Sequence, residues 1–411
     1  MLSMSTASET YSSKYDYIIA GGGLAGLSLA YYLNESGLRN AKILIIDQSV
    51  KKENDKTWCF WEAESGKFDQ IIQQKWKGVW FHGTREFNRF LPIDEYAYKL
   101  IRSENFYQFV LEKLSQNPNI TLLQAGVLSF QKLSNQSTEV YTTKGYFEAT
   151  ELVFDSTFRS SYTDTRYNQM LQHFKGWVIE TTEPAFDETQ PTMFDFRIEQ
   201  REECRFVYVL PYSKTKALVE YTIFSDNLLP EEEYEKALES YLKTHVKVDK
   251  YRIEEVENGV IPMSDEPHIR MPSSGIVRIG TSGGFVKAST GYSFTRTQRF
   301  LQKLVSDLEA VGGNGKAFEQ SHQSWKKAIY ISDWKGFLDS ILLDVMLQKR
   351  HSSKDIFTCL FSKNRPAQIL KFLDEDTSLF EDLAIMNTVP IIPFIKSAFV
   401  VILKKIRYIF R

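Results

Sequence analysis

The chain has few of the residues that build metal and redox centres. Its three cysteines, Cys59, Cys204 and Cys359, are scattered without metal-ligand or redox spacing, and no histidine pair stands at a metal-binding spacing. A formal net charge of −2, with no long basic or acidic block before the carboxyl terminus, gives no sign of a nucleic-acid partner. We therefore expect a reduced, cytosolic protein that binds neither metal nor nucleic acid.

Long apolar runs are also missing. No uninterrupted apolar stretch reaches the length of a transmembrane helix, and residues 1–14 are polar where a secretory signal would have an apolar core. Aromatic residues are abundant, with 29 Phe, 21 Tyr and 7 Trp among 411 residues. They allow two interpretations, ordinary packing of a core or a pocket for a long apolar molecule. This length exceeds one typical core, so we expect two or three packed regions.

Residues 15–47 carry the strongest pattern, that of one βαβ unit. A short apolar strand precedes Gly21, Gly23 and Gly26, which stand in the G-x-G-x-x-G spacing, and an apolar-periodic helix follows them. A second apolar strand then ends in Asp47. Strand, glycine motif, helix, strand and terminal acid in one window predict a dinucleotide-binding site. The alternative is a turn of an α/β domain that binds no phosphate.

Each part of this unit has a physical task. Gly21 allows a tight turn, Gly23 removes the Cβ that would block a pyrophosphate, and Gly26 lets the helix pack closely on the strand. The first helical turn directs free N–H groups and a positive dipole end at the phosphates. Asp47 is placed to accept hydrogen bonds from a ribose.

Other segments are predicted to reach the same cofactor. A second glycine-rich segment begins at Gly280 and can approach the pyrophosphate from the other side, or it is merely a flexible loop. Arg102, at the start of a predicted helix, could neutralise a phosphate, although most such arginines are solvated. The residues assigned to the cofactor are Gly21, Gly22, Gly23, Ala25, Gly26, Asp47, Arg102, Val127, Gly280, Thr281 and Gly291.

The order of the predicted elements indicates an α/β protein (α+β overall) with a discontinuous first domain. Alternating stretches between residues 173 and 224 predict an antiparallel sheet, and a return to the nucleotide region near 275–295 makes that sheet an insertion. Residues from Phe300 onward are predicted to be largely helical. The expected division is a Rossmann-like nucleotide-binding domain of residues 14–80, 100–158 and 260–310, an antiparallel-sheet substrate domain of residues 81–99 and 159–259, and a helical region of residues 311–411.

Glu220 is the sharpest candidate for acid chemistry. It stands in the predicted strand 218–224, among apolar and aromatic neighbours. If it faces a pocket, desolvation raises its pKa and leaves it able to donate a proton near neutral pH. The competing interpretation is a surface glutamate, because alternation puts Leu218, Glu220 and Thr222 on one face and the more apolar residues on the other.

The carboxyl-terminal segment 388–411 is basic and apolar. It contains no acidic residue, five basic ones and many large apolar ones, and Pro390 and Pro393 mark its beginning. This composition is typical of a helix that lies on an anionic membrane surface with its basic side chains snorkelling. A terminal helix docked on the core is the competing interpretation.

At these motifs the chain resembles the flavin-dependent lycopene cyclases of the bacterial β-cyclase type, over almost its full length. Residues 218–222, LVEYT, are similar to the family's Phe-Leu-Glu-Glu-Thr motif, and Glu220 falls on its first glutamate. Further matching segments are KTWCFW (56–61), NGVIPM (258–263), ASTGYSF (288–294), Asn364-Arg365-Pro366 and Pro390 to Phe394.

The chain departs from the family pattern at two places. Tyr221 stands where the family has the second acid of its Glu-Glu pair, so proton handling rests on Glu220 alone or uses a group elsewhere. The segment from Val153 to Arg159 has no glycine after its Asp-Ser pair, which affects the expected contact with the cofactor.

The resemblance implies a non-redox cyclisation of the acyclic end groups of a carotene, lycopene, to β-ionone rings. It implies FAD as the cofactor of the first domain, in its reduced form, with NAD(P)H as reductant only. Glu220 would be the acid, and Trp58, Trp61 and Tyr292 would face the substrate cation. The protein would lie on the inner face of the membrane through residues 388–411. A redox flavoprotein, such as a hydroxylase or a geranylgeranyl reductase, and a prenyl-binding protein without cofactor are the rival expectations.

Overall fold

A computed structural model describes residues 13–157, 166–327 and 333–409, with side chains to residue 407. The strands are β1 (Ser13–Ala20), β2 (Ile43–Asp47), β3 (Thr57–Glu62), β4 (Gln74–Trp76), β5 (Gly78–His82), β6 (Asn88–Pro92), β7 (Ala97–Arg102), β8 (Ile120–Gln124), β9 (Val127–Lys132), β10 (Thr138–Thr142), β11 (Gly145–Asp155), β12 (Gln169–Thr181), β13 (Thr192–Asp195), β14 (Cys204–Pro211), β15 (Lys216–Ser225), β16 (Tyr251–Ser264) and β17 (Ile276–Arg278). The helices are α1 (Leu24–Asn34), α2 (Ser103–Ser115), α3 (Glu231–Tyr241), α4 (Phe294–Ala310), α5 (Gly315–Ser321), α6 (Trp334–Leu347), α7 (Ser353–Lys363), α8 (Pro366–Leu373), α9 (Leu379–Met386) and α10 (Ile391–Ile409).

The first sheet is Rossmann-like. Its strands are ordered β8-β2-β1-β11-β10-β9, and β17 pairs with the end of β11. The pairs β8-β2, β2-β1, β1-β11 and β11-β17 are parallel, so the second half of β1, from Tyr17 to Ala20, and residues 43–46 of β2 are buried on both faces and are apolar. Helices α1, α2 and α4 cover one face. The parallel pairing of β17 confirms that the chain returns to this sheet near residue 276.

The second sheet is the predicted antiparallel insertion. Its order is β16-β12-β15-β14-β13-β5-β6. On one face, Val219, Tyr221 and Ile223 of β15 pack against α3, and on the other Leu218 and Phe224 belong to the core shared with α6 and α7. Neither face is open to solvent along β15. One pairing differs from the prediction, because β13 and β5 run parallel.

The strands show where the predicted domain boundaries fall. The boundary between residues 80 and 81 cuts β5, which pairs with β6 and β13 in the second sheet. The boundary between 259 and 260 cuts β16, which continues to Ser264 beside β12. A small sheet of order β3-β7-β4 was not expected, and it joins residues from both predicted domains. Residues 159–165 of the predicted substrate domain lie outside the described residues. The domain division itself stays a prediction.

Several predicted elements differ locally from the structure. The residue pattern from Arg85 to Phe90 predicts a strand, but β6 begins at Asn88, because Arg85 and Glu86 adopt positive φ in the turn after β5. The sequence after the glycine motif predicts a helix that stops at Gly37, but α1 ends at Asn34, with Glu35 as its cap. β1 and β12 begin earlier than the predicted stretches, at Ser13 instead of Tyr17 and at Gln169 instead of Gly176, whereas β8 and β15 have the predicted bounds.

The carboxyl-terminal region is helical, and one face of α10 docks on the core. Its buried Ser397 donates a hydrogen bond to Asp344 of α6 at 2.7 Å, and Lys404 donates one to Asn168 at 2.7 Å. Its other face exposes large apolar side chains at helical spacing: Ile392, Ile395, Phe399, Ile402 and Ile406. Phe410 and Arg411 lie outside the described residues. None of the described helices has the combined length and apolar character needed to cross a membrane.

Candidate active site

A cleft of about 610 Å³ opens at the carboxyl edge of the first sheet, where β1 ends; we call it the nucleotide cleft. Gly21 follows β1 with φ of +99°, a conformation that glycine adopts without a steric penalty. A Cβ added to Gly23 would meet no atom within 4 Å, whereas one added to Gly26 would lie 1.8 Å from the Gly21 carbonyl oxygen. Gly23 therefore leaves open space over the start of α1, and Gly26 lets α1 approach β1.

Asp47 lines this cleft at the end of β2. One carboxylate oxygen accepts a hydrogen bond from the Gly22 N–H at 2.7 Å, and the other accepts from the N–H and hydroxyl of Ser49. Lys51 lies 3.7 Å from the carboxylate. These contacts fix the direction of the side chain and leave lone pairs of its oxygens for a ribose.

The structure brings most of the predicted cofactor residues together. Ala25, Val127, Gly280 and Thr281 line the nucleotide cleft beside Gly21, Gly23 and Asp47, while Gly22 and Gly26 lie in the turn behind it. The late glycine-rich segment thus lies opposite the start of α1, and a Cβ added to Gly280 would stand 3.0 Å from that of Ala25.

Two predicted cofactor residues lie elsewhere. The Arg102 guanidinium forms ion pairs with Glu104 at 2.9 Å and Glu255 at 2.8 Å, and Arg102 does not line the cleft. Gly291, with φ of +74°, lines a neighbouring cavity, where a Cβ would overlap the Gln172 side chain at 1.9 Å. Their assignment to the cofactor stays a prediction.

The nucleotide cleft fits a dinucleotide on its own chemistry. The glycines clear the path of a pyrophosphate, and α1 directs unpaired N–H groups from its first turn toward it. Ser156 and Thr157, which follow the Asp155 of the first sheet, add hydroxyl groups to the wall. Phe158 and Arg159 of the same segment lie outside the described residues. No cluster of three metal-ligating side chains occurs in the described part of the chain.

Glu220 lies in a second, smaller cavity of about 100 Å³, which we call the acid cavity. It shares Thr57, Trp58, Phe174, Ile261 and Ser293 with the nucleotide cleft, so the two spaces adjoin. The accessible part of the Glu220 side chain faces this interior space. The interpretation of Glu220 as a surface residue is therefore wrong, because helices and loops cover the face of β15 that alternation assigns to it.

The surroundings of Glu220 favour its protonated form. Burial, and after it the negative charge of Glu257, raise the pKa of Glu220 from 4.5 to about 8. A hydrogen bond of 2.8 Å from the Thr222 hydroxyl to Oε1 acts in the opposite direction and is the weaker effect. At neutral pH the carboxyl thus holds a proton that it can donate.

Aromatic rings form much of the wall around this carboxyl. Trp58 and Tyr292 line the acid cavity, and the Tyr292 hydroxyl lies 3.5 Å from that of Tyr208. Trp61 stands behind this layer, with its ring edge-to-face against Tyr292 at 4.8 Å and its indole N–H bonded to the Leu370 carbonyl oxygen at 3.1 Å. Two of the three residues predicted to face the substrate therefore line the cavity, and Trp61 supports one of them.

The loop that carries Tyr292 is held by a buried ion pair. Lys287 contacts Asp339 of α6 at 2.8 Å and Glu375 at 2.8 Å, and its backbone bonds both Gly291 and Tyr292. Ser289 donates a hydrogen bond of 2.7 Å to the same Asp339. The helical region therefore fixes the ASTGYSF segment against the acid cavity.

Sequence reasoning missed several groups of this site. Glu257 lies on the same face of the second sheet and lines the nucleotide cleft. Gln172 Oε1 and Thr290 Oγ1 line the acid cavity and have no hydrogen-bond partner within the described residues, which is typical of a place that receives water or a ligand. A signal for Glu257 existed, because it directly precedes the matched segment 258–263.

Comparison with known proteins identifies the family. The family model described as lycopene cyclase protein matches residues 16–399. The chain is 28% identical over 301 residues to the lycopene beta cyclase of Arabidopsis thaliana, covering 69% of this chain and 58% of that protein. It is 24% identical over 292 residues to the lycopene beta-cyclase of Pseudescherichia vulneris, covering 68% and 70%. The chain thus spans less than two thirds of the plant relative's length.

Solved structures share the fold of this chain at low sequence identity. A geranylgeranyl bacteriochlorophyll reductase-like protein from Thermoplasma acidophilum superposes with a TM-score of 0.65 at 14% identity, covering 93% of this chain and 98% of that one. The halogenase PltM, in a complex with phloroglucinol and FAD, superposes with a TM-score of 0.56 at 13% identity, covering 88% and 83%. These likenesses concern the fold, whereas the family match spans most of the chain. The chain belongs to the lycopene cyclase family.

Proposed function

We propose that this chain is a lycopene β-cyclase, which converts the acyclic end groups of lycopene to β-ionone rings and gives β-carotene through γ-carotene. The observation that carries the proposal is the position of Glu220, a protonated carboxyl in an aromatic-walled cavity that adjoins a dinucleotide cleft. Family membership and the similarity to plant and bacterial lycopene beta-cyclases support it. The reaction is an isomerisation, so substrate and product have the same mass.

The nucleotide cleft would hold FAD in its reduced form, with NAD(P)H serving only to reduce it. Gly21, Gly23 and the first turn of α1 would hold the pyrophosphate, and Asp47 would accept from the adenosine ribose. When bound, reduced flavin supplies negative charge beside the developing cation. The open volume over Gly23 and the fit of the cleft to a dinucleotide support this assignment.

Glu220 would begin and end the cyclisation. Its carboxyl proton adds to the terminal double bond of the end group, leaving a tertiary carbocation that the internal alkene attacks. The ring then loses a proton to the Glu220 carboxylate, which restores the acid with no net change in protons or electrons. A carboxyl whose pKa is near 8 suits both transfers at neutral pH.

The walls of the acid cavity would protect the cation. Trp58 and Tyr292 present aromatic groups to the space beside Glu220, and aromatic faces attract a positive charge. Burial raises the pKa of the Tyr208 and Tyr292 hydroxyls well above the usual range, so these phenols stay protonated. The lining thus offers no phenolate that would capture the carbocation.

The tail would place the enzyme on the membrane that holds its apolar substrate. The exposed face of α10, defined by Ile392, Ile395, Phe399, Ile402 and Ile406, is an apolar stripe on a helix that also carries basic residues. Such a helix binds at the level of the lipid headgroups without crossing the bilayer. We propose attachment to the inner face through residues 388–411.

Expression in bacteria that accumulate lycopene tests the reaction. We expect bicyclic β-carotene with the mass of lycopene, with monocyclic γ-carotene as the intermediate seen at short times. The rival function is a redox flavoprotein that reduces or hydroxylates an isoprenoid, as the fold shared with a reductase-like protein would allow. A product heavier by oxygen or hydrogen atoms would establish that rival and contradict cyclisation.

A further inference from the structure

A second buried carboxyl lies in register with Glu220. Gly176 of β12 pairs with Glu220 of β15 on one side and with Glu257 of β16 on the other. Residues directly opposite on neighbouring strands point to the same face, so both carboxyls project from the face that bounds the acid cavity and the nucleotide cleft. Glu257 is 7% exposed and lines the nucleotide cleft, while Glu220 lines the adjoining acid cavity.

Gly176 keeps the space between the two carboxyls free of a side chain. A Cβ at this position would lie 2.9 Å from Leu218 Cδ1 and 3.3 Å from Glu220 Cβ. No side chain of β12 therefore separates Glu220 from Glu257, and low-dielectric surroundings strengthen the interaction between their charges.

Hydrogen bonds distinguish the two carboxyls. Glu257 accepts from the Thr57 N–H at 2.8 Å and from the Thr57 hydroxyl at 2.7 Å, and both bonds favour its ionised form. Glu220 accepts one bond, from Thr222. Burial raises the pKa of Glu257 as well, but the two bonds from Thr57 oppose that rise, so of the two interacting acids Glu257 ionises first and Glu220 keeps the proton.

The other titratable groups around Glu220 and Glu257 do not change which of the two carboxyls ionises first. The groups facing Glu220 are Cys59 of β3, Tyr98 of β7, Tyr208 of β14 and Tyr292, all of which burial keeps neutral by raising their pKa. The groups facing Glu257 are Asp55, Lys56, Cys59 and Tyr212. Lys56 and Asp55 have opposite charges, and burial raises the pKa of the Tyr212 hydroxyl.

We propose that Glu257 is the positioning residue that holds the catalytic proton on Glu220. Its ionised carboxylate, held by hydrogen bonds from Thr57, disfavours a negative charge on Glu220 and so keeps Glu220 protonated. The proposal rests on the proposed function, because it assigns the second carboxyl of the same site. During a turnover Glu220 gives one proton to the substrate and receives one back, and Glu257 stays ionised.

The position of Tyr221 supports this assignment. Successive residues of a strand point to opposite faces, and Tyr221 packs against α3 with its hydroxyl 3.0 Å from the Arg205 guanidinium. An acid at position 221 would therefore project away from Glu220. The second carboxyl on the Glu220 face comes from β16, two strands away.

Infrared titration of the flavin-loaded protein measures where the proton lies. The wild type is expected to show a protonated carboxyl band at pH 7 with a midpoint near pH 8, and Glu220→Gln should remove it. In Glu257→Gln the band should persist but its midpoint should fall by roughly one pH unit, as expected for two charges two strand spacings apart at an effective dielectric constant near 20. Thr57→Val removes the hydroxyl that donates to Glu257, so the midpoint should also fall, but by less than in Glu257→Gln.

Activity gives a second measurement, with Glu254→Gln as the matched control. Glu254 is exposed on the same strand, and its replacement should leave the pH profile unchanged. Glu257→Gln should move the alkaline fall in cyclisation to lower pH by the amount seen in the infrared midpoint. An unmoved midpoint and profile, or a band lost in Glu257→Gln and kept in Glu220→Gln, would overturn the role of Glu257. A fully active Glu220→Gln would instead overturn the assignment of Glu220 as the acid, and a wild type that makes no cyclic product would overturn the proposed function.

Discussion

The nucleotide cleft and the acid cavity adjoin, yet they are built in opposite ways. The cleft is made largely by backbone and by missing side chains, with Gly21, Gly23 and Gly26 in one short window of sequence. The acid cavity is lined by large side chains that come from several separate strands, so its residues are far apart in the sequence. We therefore expect the nucleotide cleft to lose its function when atoms are added to its glycines. We expect the acid cavity to lose its function when the charge of a carboxyl is changed or the space at Gly176 is filled.

The largest effect is expected from adding one methyl group to the glycine motif. Gly26→Ala puts a Cβ within 1.8 Å of the Gly21 carbonyl oxygen, so α1 must move away from β1. Overpacking at buried positions costs about 1–3 kcal/mol, and more where backbone must shift. We expect loss of flavin binding and a lower free energy of unfolding, measured by flavin content and by urea denaturation.

Gly23→Ala is the matched change at an open position. Its added methyl group meets nothing within 4 Å, so the free energy of unfolding without cofactor should stay within about 0.5 kcal/mol of wild type. Flavin affinity should nevertheless fall by about tenfold or more, because the methyl group occupies the space of the pyrophosphate. Equal flavin affinity in wild type and Gly23→Ala would contradict the location of the cofactor.

In the acid cavity, we expect the next largest effect from Gly176→Ala. The added Cβ stands 2.9 Å from Leu218 and 3.3 Å from Glu220, so it displaces the carboxyl without removing it. Misplacement of a catalytic group by about 1 Å can lower a rate roughly 100-fold. The turnover rate on lycopene in detergent micelles should fall by about 10- to 100-fold, while flavin stays bound. An unchanged rate would show that the missing side chain at Gly176 has no role in placing Glu220.

Stability as a function of pH tests the burial of Glu220. Its pKa of about 8 in the folded state exceeds the value of 4.5 for an exposed glutamate, so the folded state holds this proton more tightly. That contribution to stability is fully present below pH 4.5 and is lost as pH rises toward 8. Glu220→Gln cannot ionise, so its stability relative to wild type should rise across this range, by on the order of a few kcal/mol. A constant difference between the two proteins from pH 5 to about 9 would contradict the burial.

The smallest effect on the chemistry is expected at the tail. Phe399→Glu changes an exposed side chain of α10, so folding and activity in detergent should stay near wild type. Binding to vesicles that contain anionic lipid should fall severalfold, because the apolar stripe gains a charge. Sedimentation with vesicles measures it, and unchanged binding would contradict attachment through α10.

The same contrast explains what the sequence could predict. The Rossmann-like sheet and its glycine motif were predictable because their signals are local, and Gly26 contacts a residue five positions before it. Glu220 was found as an acid among the apolar residues of a predicted strand, but its burial depended on which elements cover β15. Glu257 was missed because its relation to Glu220 arises only from the register of β15, β12 and β16 through Gly176. The small β3-β7-β4 sheet was missed for the same reason, since its pairings join distant segments.

The most direct test of the account is the pigment made by Glu220→Gln, with its flavin content measured in the same preparation and Glu254→Gln as control. We expect cyclisation to fall by at least about 100-fold, the lower end of what general acid catalysis contributes, with flavin bound as in wild type. Glu254→Gln should make β-carotene as wild type does. Undiminished cyclisation by Glu220→Gln would contradict the claim that this buried carboxyl supplies the proton.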